Sequence, residues 1–226
     1  MTAPLVHLVR QPHAKEGRPP VLFLLHGVGS QEGDLFSLAE EFGPEFLVVS
    51  VRAPLTLRPG SYAWFPVQFT TEGPVADAAQ AERSLGILEE FVPWAVDHYG
   101  ADPEQVAVVG FSQGSIMASG LALRNPHRYR AAVMMSGRTL PEFAALAAPP
   151  TARRGQRWLV VHGTEDNVLP VAHARATRQT LAQLGIEADY REFPMGHTIT
   201  DASLDLVAQW LISALCPREN PAEFPA

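Results

Sequence analysis

The sequence predicts an α/β protein whose central sheet is mostly parallel and carries helices on both of its faces. Short apolar segments alternate with helix-like segments along the 226-residue chain, which is the pattern of strand–helix–strand units. Most of the apolar segments are continuous rather than alternating, as expected for strands buried on both faces. Hydrophobic residues make up 46% of the chain, which is enough for one sizeable core.

The predicted strands are the short apolar segments. In chain order they span 5–9, 21–26, 46–51, 106–111, 131–137, 158–163 and 188–193. No helix-length segment separates the first two, so we predict that the first strand is antiparallel and lies at an edge of the sheet. The later strands are separated by long connections and are predicted to be parallel.

The predicted helices lie between these strands. They span 32–42, 76–100, 112–125, 171–185 and 200–215. Pro93 is expected to kink or break the second helix, and Gly185 is expected to end the fourth. In the last helix the apolar side chains share one face, which predicts that this face is buried. These side chains are Leu204, Val207, Leu211 and Leu215.

Two segments have no clear periodicity. Residues 52–75 are rich in Pro, Gly and aromatic residues, and we predict a long loop beside a functional site. Residues 141–156 are interpreted as a surface connection. We expect one domain over residues 1–216 and a flexible tail over 217–226.

Charge and cysteine content exclude several classes of function. The net charge is −7 without a block of like charges, and a nucleic-acid partner is therefore not expected, because such surfaces need clustered Lys and Arg. Cys216 is the single cysteine, so no internal disulfide can form. The first residues lack a secretory pattern, and no apolar run reaches the roughly 18 residues of a membrane span. We expect a cytoplasmic protein without an integral membrane segment.

A serine between two glycines stands at the end of one predicted strand. The segment 110–114 reads Gly-Phe-Ser-Gln-Gly and matches the G-x-S-x-G pattern of a nucleophile elbow. In so tight a turn, side chains two residues on either side of Ser112 would collide, and glycine relieves this. The turn exposes the serine oxygen above a helix N-terminus, whose N–H groups suit an oxyanion. The alternative is a serine that only caps the helix.

A serine hydroxyl needs a base within hydrogen-bond reach and a carboxylate that orients this base. For an elbow of this type the chain order is Ser, then Asp or Glu, then His, on loops that follow strands. Asp166 is the predicted carboxylate, with Glu165 as its local rival. His197, between the last strand and the last helix, is the predicted base. His162 is too close to Asp166 in sequence and is interpreted as a structural turn residue.

A second oxyanion donor is expected after the second strand, where the chain reads HGVGS over residues 26–30. We predict that the backbone N–H groups of Val28 and Gln113 form the oxyanion hole. A phosphate-binding loop is disfavoured, because the segment has no Lys-Ser/Thr ending and Glu32 stands where a third glycine belongs.

These four segments together resemble the phospholipase/carboxylesterase family, which includes the acyl-protein thioesterases and small bacterial esterases. LLHGVGSQEGD is similar to the family's first Gly-rich loop, VGFSQGS to its elbow, HGTEDNVLP to its acid loop and YREFPMGHTI to its His loop. The resemblance spans nearly the whole chain and implies an α/β-hydrolase fold with the triad Ser112, Asp166 and His197 and the same two oxyanion donors. Ser115 departs from the pattern, because many relatives carry a second glycine there.

Apolar side chains near these segments are predicted to line an acyl pocket. Trp64 and Phe65 come from the irregular segment, in a loop that resembles the family's Trp-containing loop beside the acyl site. Leu169 and Met195 flank the acid and the base. The alternative is that the aromatic residues only cover the core.

The predicted function is that of a serine carboxylic-ester hydrolase that acts through an acyl-enzyme. Short to medium acyl esters are expected, because the chain shows no large cap domain for long lipids, and thioesters and lysophospholipids stay open. The alternatives are a serine peptidase and a noncatalytic binding module on the same fold. No metal and no cofactor are expected, and a homodimer through the aromatic segment is left open.

Overall fold

The computed structural model describes residues 2–13, 17–70, 73–153 and 155–216. Its largest feature is a seven-stranded sheet, accompanied by two small hairpins. The strands are β1 (His7–Arg10), β2 (Val21–Leu25), β3 (Leu47–Val51), β4 (Leu55–Arg58), β5 (Ser61–Ala63), β6 (Val67–Thr70), β7 (Gly73–Ala76), β8 (Val106–Phe111), β9 (Ala131–Met135), β10 (Arg157–Gly163) and β11 (Ala188–Phe193). The predicted tail at 217–226 lies outside the described residues.

The sheet is mostly parallel, as the sequence predicts. Its strand order is β1-β3-β2-β8-β9-β10-β11. All neighbouring pairs from β3 to β11 run parallel. The edge strand β1 is antiparallel to β3, with His7 opposite Val51. The prediction of an antiparallel edge strand is therefore confirmed, and the carboxyl ends of the parallel strands share one edge of the sheet.

Helices cover both faces of this sheet. They are α1 (Glu32–Phe36), α2 (Ala78–Tyr99), α3 (Gln113–Arg124), α4 (Pro141–Ala145), α5 (Ala172–Gln183) and α6 (Asp201–Leu215). Alternate residues of β2 enter two separate apolar cores. Phe23 packs in the core formed with α2, α3 and α5, whereas Leu22 and Leu24 pack in the core formed with α1 and α6. This arrangement confirms the predicted layers of helix, sheet and helix.

The termini of the last two helices follow the sequence prediction. The helix α5 ends just before Gly185. The helix α6 begins after Thr200, whose hydroxyl accepts a hydrogen bond from the Ser203 N–H in a capping box. The apolar face predicted for α6 is buried against the sheet, and its side chains belong to one core. They are Leu204, Val207, Leu211 and Leu215.

The structure corrects two helix predictions. The segment 32–42 is not one helix, because α1 ends at Phe36 and a 3₁₀ helix follows over Ala39–Phe42. The Ser37 hydroxyl donates to the Asp34 carbonyl oxygen at 2.6 Å, and such local bonds compete with a continuing helix. Of the kink or break expected at Pro93, the break does not occur, because α2 runs through this residue and is 22 residues long. The buried side chains on either side of Pro93 hold this helix to the sheet.

The irregular segments contain short elements that periodicity could not show. Within residues 52–75 the structure has two antiparallel hairpins, β4–β5 and β6–β7, rather than one structureless loop. Residues 71 and 72 lie outside the described residues. The segment 141–156 contains α4 and a 3₁₀ helix at Pro150–Arg153, and residue 154 is not described. In the described ranges, no helix combines the length and the apolar character needed to cross a bilayer.

Candidate active site

The turn between β8 and α3 presents Ser112 at the carboxyl edge of the sheet. Ser112 has φ +53° and ψ −116°, and its N–H donates to the Met135 carbonyl oxygen at 2.9 Å. A Cβ atom at Gly114 would lie 1.9 Å from the Leu25 carbonyl oxygen, and one at Gly110 would lie 2.3 Å from the Gly114 carbonyl oxygen. The close approach of these backbones therefore requires glycine on both sides of the serine, as the sequence predicts.

The structure brings the three predicted polar side chains into one line. His197 Nε2 lies 2.9 Å from Ser112 Oγ, and His197 Nδ1 lies 2.7 Å from Asp166 Oδ2. The Ser112 side chain makes no capping hydrogen bond to its own helix, so the alternative of a simple helix cap does not describe it. These distances allow a proton to pass from the hydroxyl to the imidazole, with the carboxylate orienting the ring.

The loop after β10 holds the carboxylate in a fixed position. Asp166 Oδ1 accepts hydrogen bonds from the backbone N–H groups of Val168 at 2.9 Å and Leu169 at 2.8 Å. The Asp166 side chain is fully buried, whereas the side chain of His197 is 17% exposed. Its local rival Glu165 is exposed to solvent. The structure therefore places Asp166, and not Glu165, against His197.

Backbone hydrogen bonds tie the acid loop to the loop that carries His197. The Thr164 N–H donates to the Phe193 carbonyl oxygen at 2.8 Å, and the Glu165 N–H donates to the Met195 carbonyl oxygen at 3.1 Å. The ring of Phe111 lies 5.1 Å from the ring of His197, measured between centroids. The acid and the base therefore sit on two loops that are fixed to each other.

The two residues predicted to form the oxyanion hole line the same cavity as Ser112. Val28 lies on the loop after β2, and Gln113 is the first residue of α3; both line this cavity. Among the described residues, neither backbone N–H makes a hydrogen bond. The loop is held in place by the Gly29 N–H, which donates to the Tyr62 carbonyl oxygen at 2.8 Å. Two residues whose backbone N–H groups have no partner in the described ranges thus line the cavity together with Ser112.

A buried histidine whose role the sequence alone does not indicate supports this loop. His26 Nδ1 donates to the Gly27 carbonyl oxygen at 2.7 Å, and Nε2 accepts from the Ala53 N–H at 3.1 Å. Burial lowers the pKa of His26, and its two partners require the neutral ring. Only the fold reveals this role, because the Ala53 contact joins residues that are distant in the chain.

The side chain of Gln113 anchors the aromatic segment. Its Oε1 accepts from the Trp64 N–H at 2.8 Å, and its Nε2 donates to the Phe65 carbonyl oxygen at 2.7 Å. Trp64 is fully buried, and its indole N–H donates to the His26 carbonyl oxygen at 2.9 Å. Trp64 therefore packs beneath the loop after β2 and is not among the residues that line the cavity beside Ser112.

The cavity beside Ser112 has a volume of about 60 Å³ and is mostly apolar. It includes two of the four predicted lining residues, Phe65 and Leu169. Met195 packs instead in the core under α6, and the Thr200 hydroxyl lies 3.6 Å from its sulfur. The remaining lining side chains lie on separate elements, and most of them had no signal in the sequence. They are Val67, Ala76, Ile116, Arg138 and Val168.

A second, larger cavity of about 480 Å³ adjoins the first. The two share Ala76 and Arg138 in their linings. Burial lowers the pKa of Arg138.

No cluster of three or more His, Cys, Asp or Glu side chains in the described part of the chain is arranged to hold a metal ion.

Comparisons with known proteins show which family this chain resembles. A family model described as Phospholipase/Carboxylesterase matches residues 8–214. Esterase YpfH of Escherichia coli (strain K12) is 30% identical over 197 residues, which cover 84% of this chain and 81% of that protein. Acyl-protein thioesterase 1 of Gibberella zeae is 29% identical over 122 residues, which cover 53% and 52% of the two chains. The crystal structure of esterase PE8 is similar with a TM-score of 0.81 and 29% identity, covering 93% of this chain and 99% of that one.

Proposed function

This chain belongs to the phospholipase/carboxylesterase family of α/β-hydrolases, and we propose that it is a serine carboxylesterase acting on short to medium acyl esters. The observation that carries the proposal is the continuous hydrogen-bonded line from Ser112 Oγ through His197 to Asp166, with distances of 2.9 and 2.7 Å. A noncatalytic module would have no need to keep a strained serine in line with a base and a buried carboxylate.

In the first half of the reaction, Ser112 Oγ attacks the carbonyl carbon of the ester while its proton passes to His197 Nε2. Asp166 holds the ring and stabilises the imidazolium that forms. The carbonyl oxygen gains negative charge and accepts hydrogen bonds from the N–H groups of Val28 and Gln113. The N-terminus of α3 adds its positive dipole end at this place. An oxyanion donor of this kind commonly contributes a few kcal/mol to the transition state.

In the second half, the bond to the leaving group breaks and His197 gives its proton to the departing alcohol or thiol. The acyl group is then bound to Ser112 Oγ as an ester. A water molecule attacks this acyl carbon, and His197 Nε2 takes one proton from the water. Release of the carboxylic acid returns that proton to Ser112 Oγ. The chain's own nucleophile, base and N–H donors supply every step.

The size of the cavity supports a short acyl chain. A volume of about 60 Å³ lies far below the roughly 300 Å³ or more of a typical ligand pocket, so it has room for only a few heavy atoms. A longer chain would have to enter the second cavity past Ala76 and Arg138. Thioesters and lysophospholipids remain candidate substrates under the same mechanism. A cytoplasmic location and a homodimer also stay predictions.

A chain-length series on two proteins tests the proposal. We expect the wild-type protein to hydrolyse p-nitrophenyl acetate and butyrate with higher kcat/KM than the laurate ester. Ser112→Ala should lose roughly 10⁴-fold or more of this activity, because it removes the attacking oxygen. Ser119→Ala is the matched control, since Ser119 Oγ donates to the Ile116 carbonyl oxygen inside α3 and Ser119 itself does not line the cavity.

Two results would overturn parts of this proposal. Full turnover by a folded Ser112→Ala protein would remove Ser112 from the mechanism. A series that peaks at the laurate ester would reject the short acyl preference while leaving the serine mechanism intact. An S-acyl thioester of the best acyl group, assayed in parallel, compares oxygen and sulfur leaving groups.

A further inference from the structure

A second histidine contacts the carboxylate of Asp166, and the mechanism above does not use it. His162 lies on β10 and is fully buried. Its Nε2 is 2.7 Å from the Leu169 carbonyl oxygen and 3.3 Å from Asp166 Oδ2. The sequence predicts a structural turn residue at position 162, whereas the structure places His162 directly against the acid.

The partners of His162 assign its proton. The Leu169 carbonyl oxygen can only accept, so Nε2 must carry the hydrogen. The other ring nitrogen, Nδ1, is buried and has no hydrogen-bond partner in the described ranges. A proton on Nδ1 would therefore be an unsatisfied buried donor. His162 accordingly acts as a donor through Nε2.

We propose that His162 is a positioning residue: its N–H binds the Leu169 carbonyl oxygen, its ring lies against Asp166 Oδ2, and together these contacts keep the carboxylate aimed at His197. This inference rests on the proposed function, because it concerns the acid of the same triad. His162 touches neither Ser112 nor the cavity. It acts on the reaction only through Asp166.

The burial of Asp166 explains why this contact matters. A carboxylate without water contact must satisfy its charge through hydrogen bonds. Its Oδ1 accepts from the N–H groups of Val168 and Leu169, whereas Oδ2 accepts from His197 and lies 3.3 Å from His162 Nε2. Within the described residues, the hydrogen-bond donor to Oδ2 is thus the ring that must also serve Ser112, and His162 limits the movement of this oxygen from the other side. Without His162, the carboxylate could rotate away from the geometry that orients this ring.

The same N–H also fixes the wall of the acyl cavity. It binds the Leu169 carbonyl oxygen, while the Leu169 N–H binds Asp166 Oδ1 and the Leu169 side chain lines the cavity. The loop from Asp166 to Leu169 is thus closed at both ends by hydrogen bonds. His162 anchors this closed loop to the rigid strand β10.

The test compares two replacements of His162 with different donor capacity. His162→Gln keeps an N–H donor, whereas His162→Leu has similar bulk and no donor. With p-nitrophenyl butyrate, we expect the leucine variant to lose about ten- to hundred-fold in kcat with little change in KM. The glutamine variant should recover most of this loss. The rate of fluorophosphonate labelling of Ser112 should follow kcat. His98→Leu, at an exposed ring stacked on Trp94, is the matched control.

Each outcome either supports or overturns the positioning role of His162. A leucine variant that folds and keeps the wild-type kcat overturns the positioning role, and so does a folded glutamine variant that is as slow as the leucine one. If the leucine variant does not fold, the glutamine variant still decides, because a hundredfold loss in that protein contradicts a donor role. An inactive wild-type protein would instead reject the proposed function, and this outcome is visible in the same assay.

Discussion

Ser112 has a backbone conformation that its own side chain disfavours. A φ of +53° is uncommon for a residue with a Cβ atom and costs about 1–3 kcal/mol at such sites. The hydrogen bond from the Ser112 N–H to Met135 and the close packing at Gly114 hold the turn in place. The strain turns the hydroxyl away from its helix and toward His197. The strained turn thus lowers local stability but places the Ser112 hydroxyl at the cavity, beside His197.

This strain predicts different stabilities for two inactive variants. Ser112→Gly should be more stable than Ser112→Ala by roughly 1 kcal/mol, because glycine accepts positive φ and alanine does not. For a chain of this size the gap corresponds to about 2–4 °C in Tm. Thermal unfolding measures it.

The same pair of substitutions inside α3 supplies the control. At Ser119, in a regular helix, the order should reverse, and Ser119→Ala should be more stable than Ser119→Gly. A glycine variant at position 112 that is less stable than the alanine variant would show that the turn stores no strain.

The longer elements could be predicted from the sequence, because their patterns are strong. Continuous apolar runs gave the parallel strands, and one apolar face gave α6. The hairpins within 52–75 could not be found, since β4 to β7 have only three or four residues each and show no period. No break occurs at Pro93. The low helix propensity of proline is a local effect, whereas the buried face of α2 holds the whole helix to the sheet.

Contacts between an element and its neighbour fix the edge of the sheet near His197. Arg175 on α5 donates to Glu192 on β11 through two hydrogen bonds of 2.8 and 2.7 Å, and the Tyr190 hydroxyl adds a third at 2.6 Å. The hydrogen bonds from Arg175 first, and then from Tyr190, lower the pKa of Glu192 to about 2. The loop with His197 continues from this strand, so the pair stabilises the edge that carries the base.

Glu192→Gln should therefore lower stability in a pH-dependent way. A carboxyl group with a depressed pKa stabilises the fold above its ordinary range, near 4.5, and loses this contribution as the pH falls toward about 2. At neutral pH we expect the variant to be less stable by roughly 0.5–1 kcal/mol, because the pair is partly exposed. Denaturant unfolding at neutral pH and at successively lower pH measures the difference. A difference that does not shrink in acid would contradict this assignment.

At the scale of the whole molecule, the parallel sheet assembles the site from distant parts of the chain. The loops after β2, β8, β10 and β11 all leave the same edge, so Val28, Ser112, Asp166 and His197 could be placed together from strand order alone. The network of hydrogen bonds that supports the site could not be predicted from strand order. The side chain of Gln113, the ring of His26 and the contact of His162 with Asp166 depend on distances between loops, which no local pattern encodes. The burial of Trp64 has the same origin.

The most direct test of the proposed relay is the site of covalent modification by a fluorophosphonate, followed by mass spectrometry of the digested protein. We expect one adduct per chain, on the peptide that contains Ser112, and slower labelling when p-nitrophenyl butyrate competes for the site. Ser112→Ala should remain unlabelled, while Ser119→Ala should label like the wild type. A folded wild-type protein that stays unlabelled, or that carries the adduct on another serine while Ser112 remains free, would contradict the proposed role of Ser112.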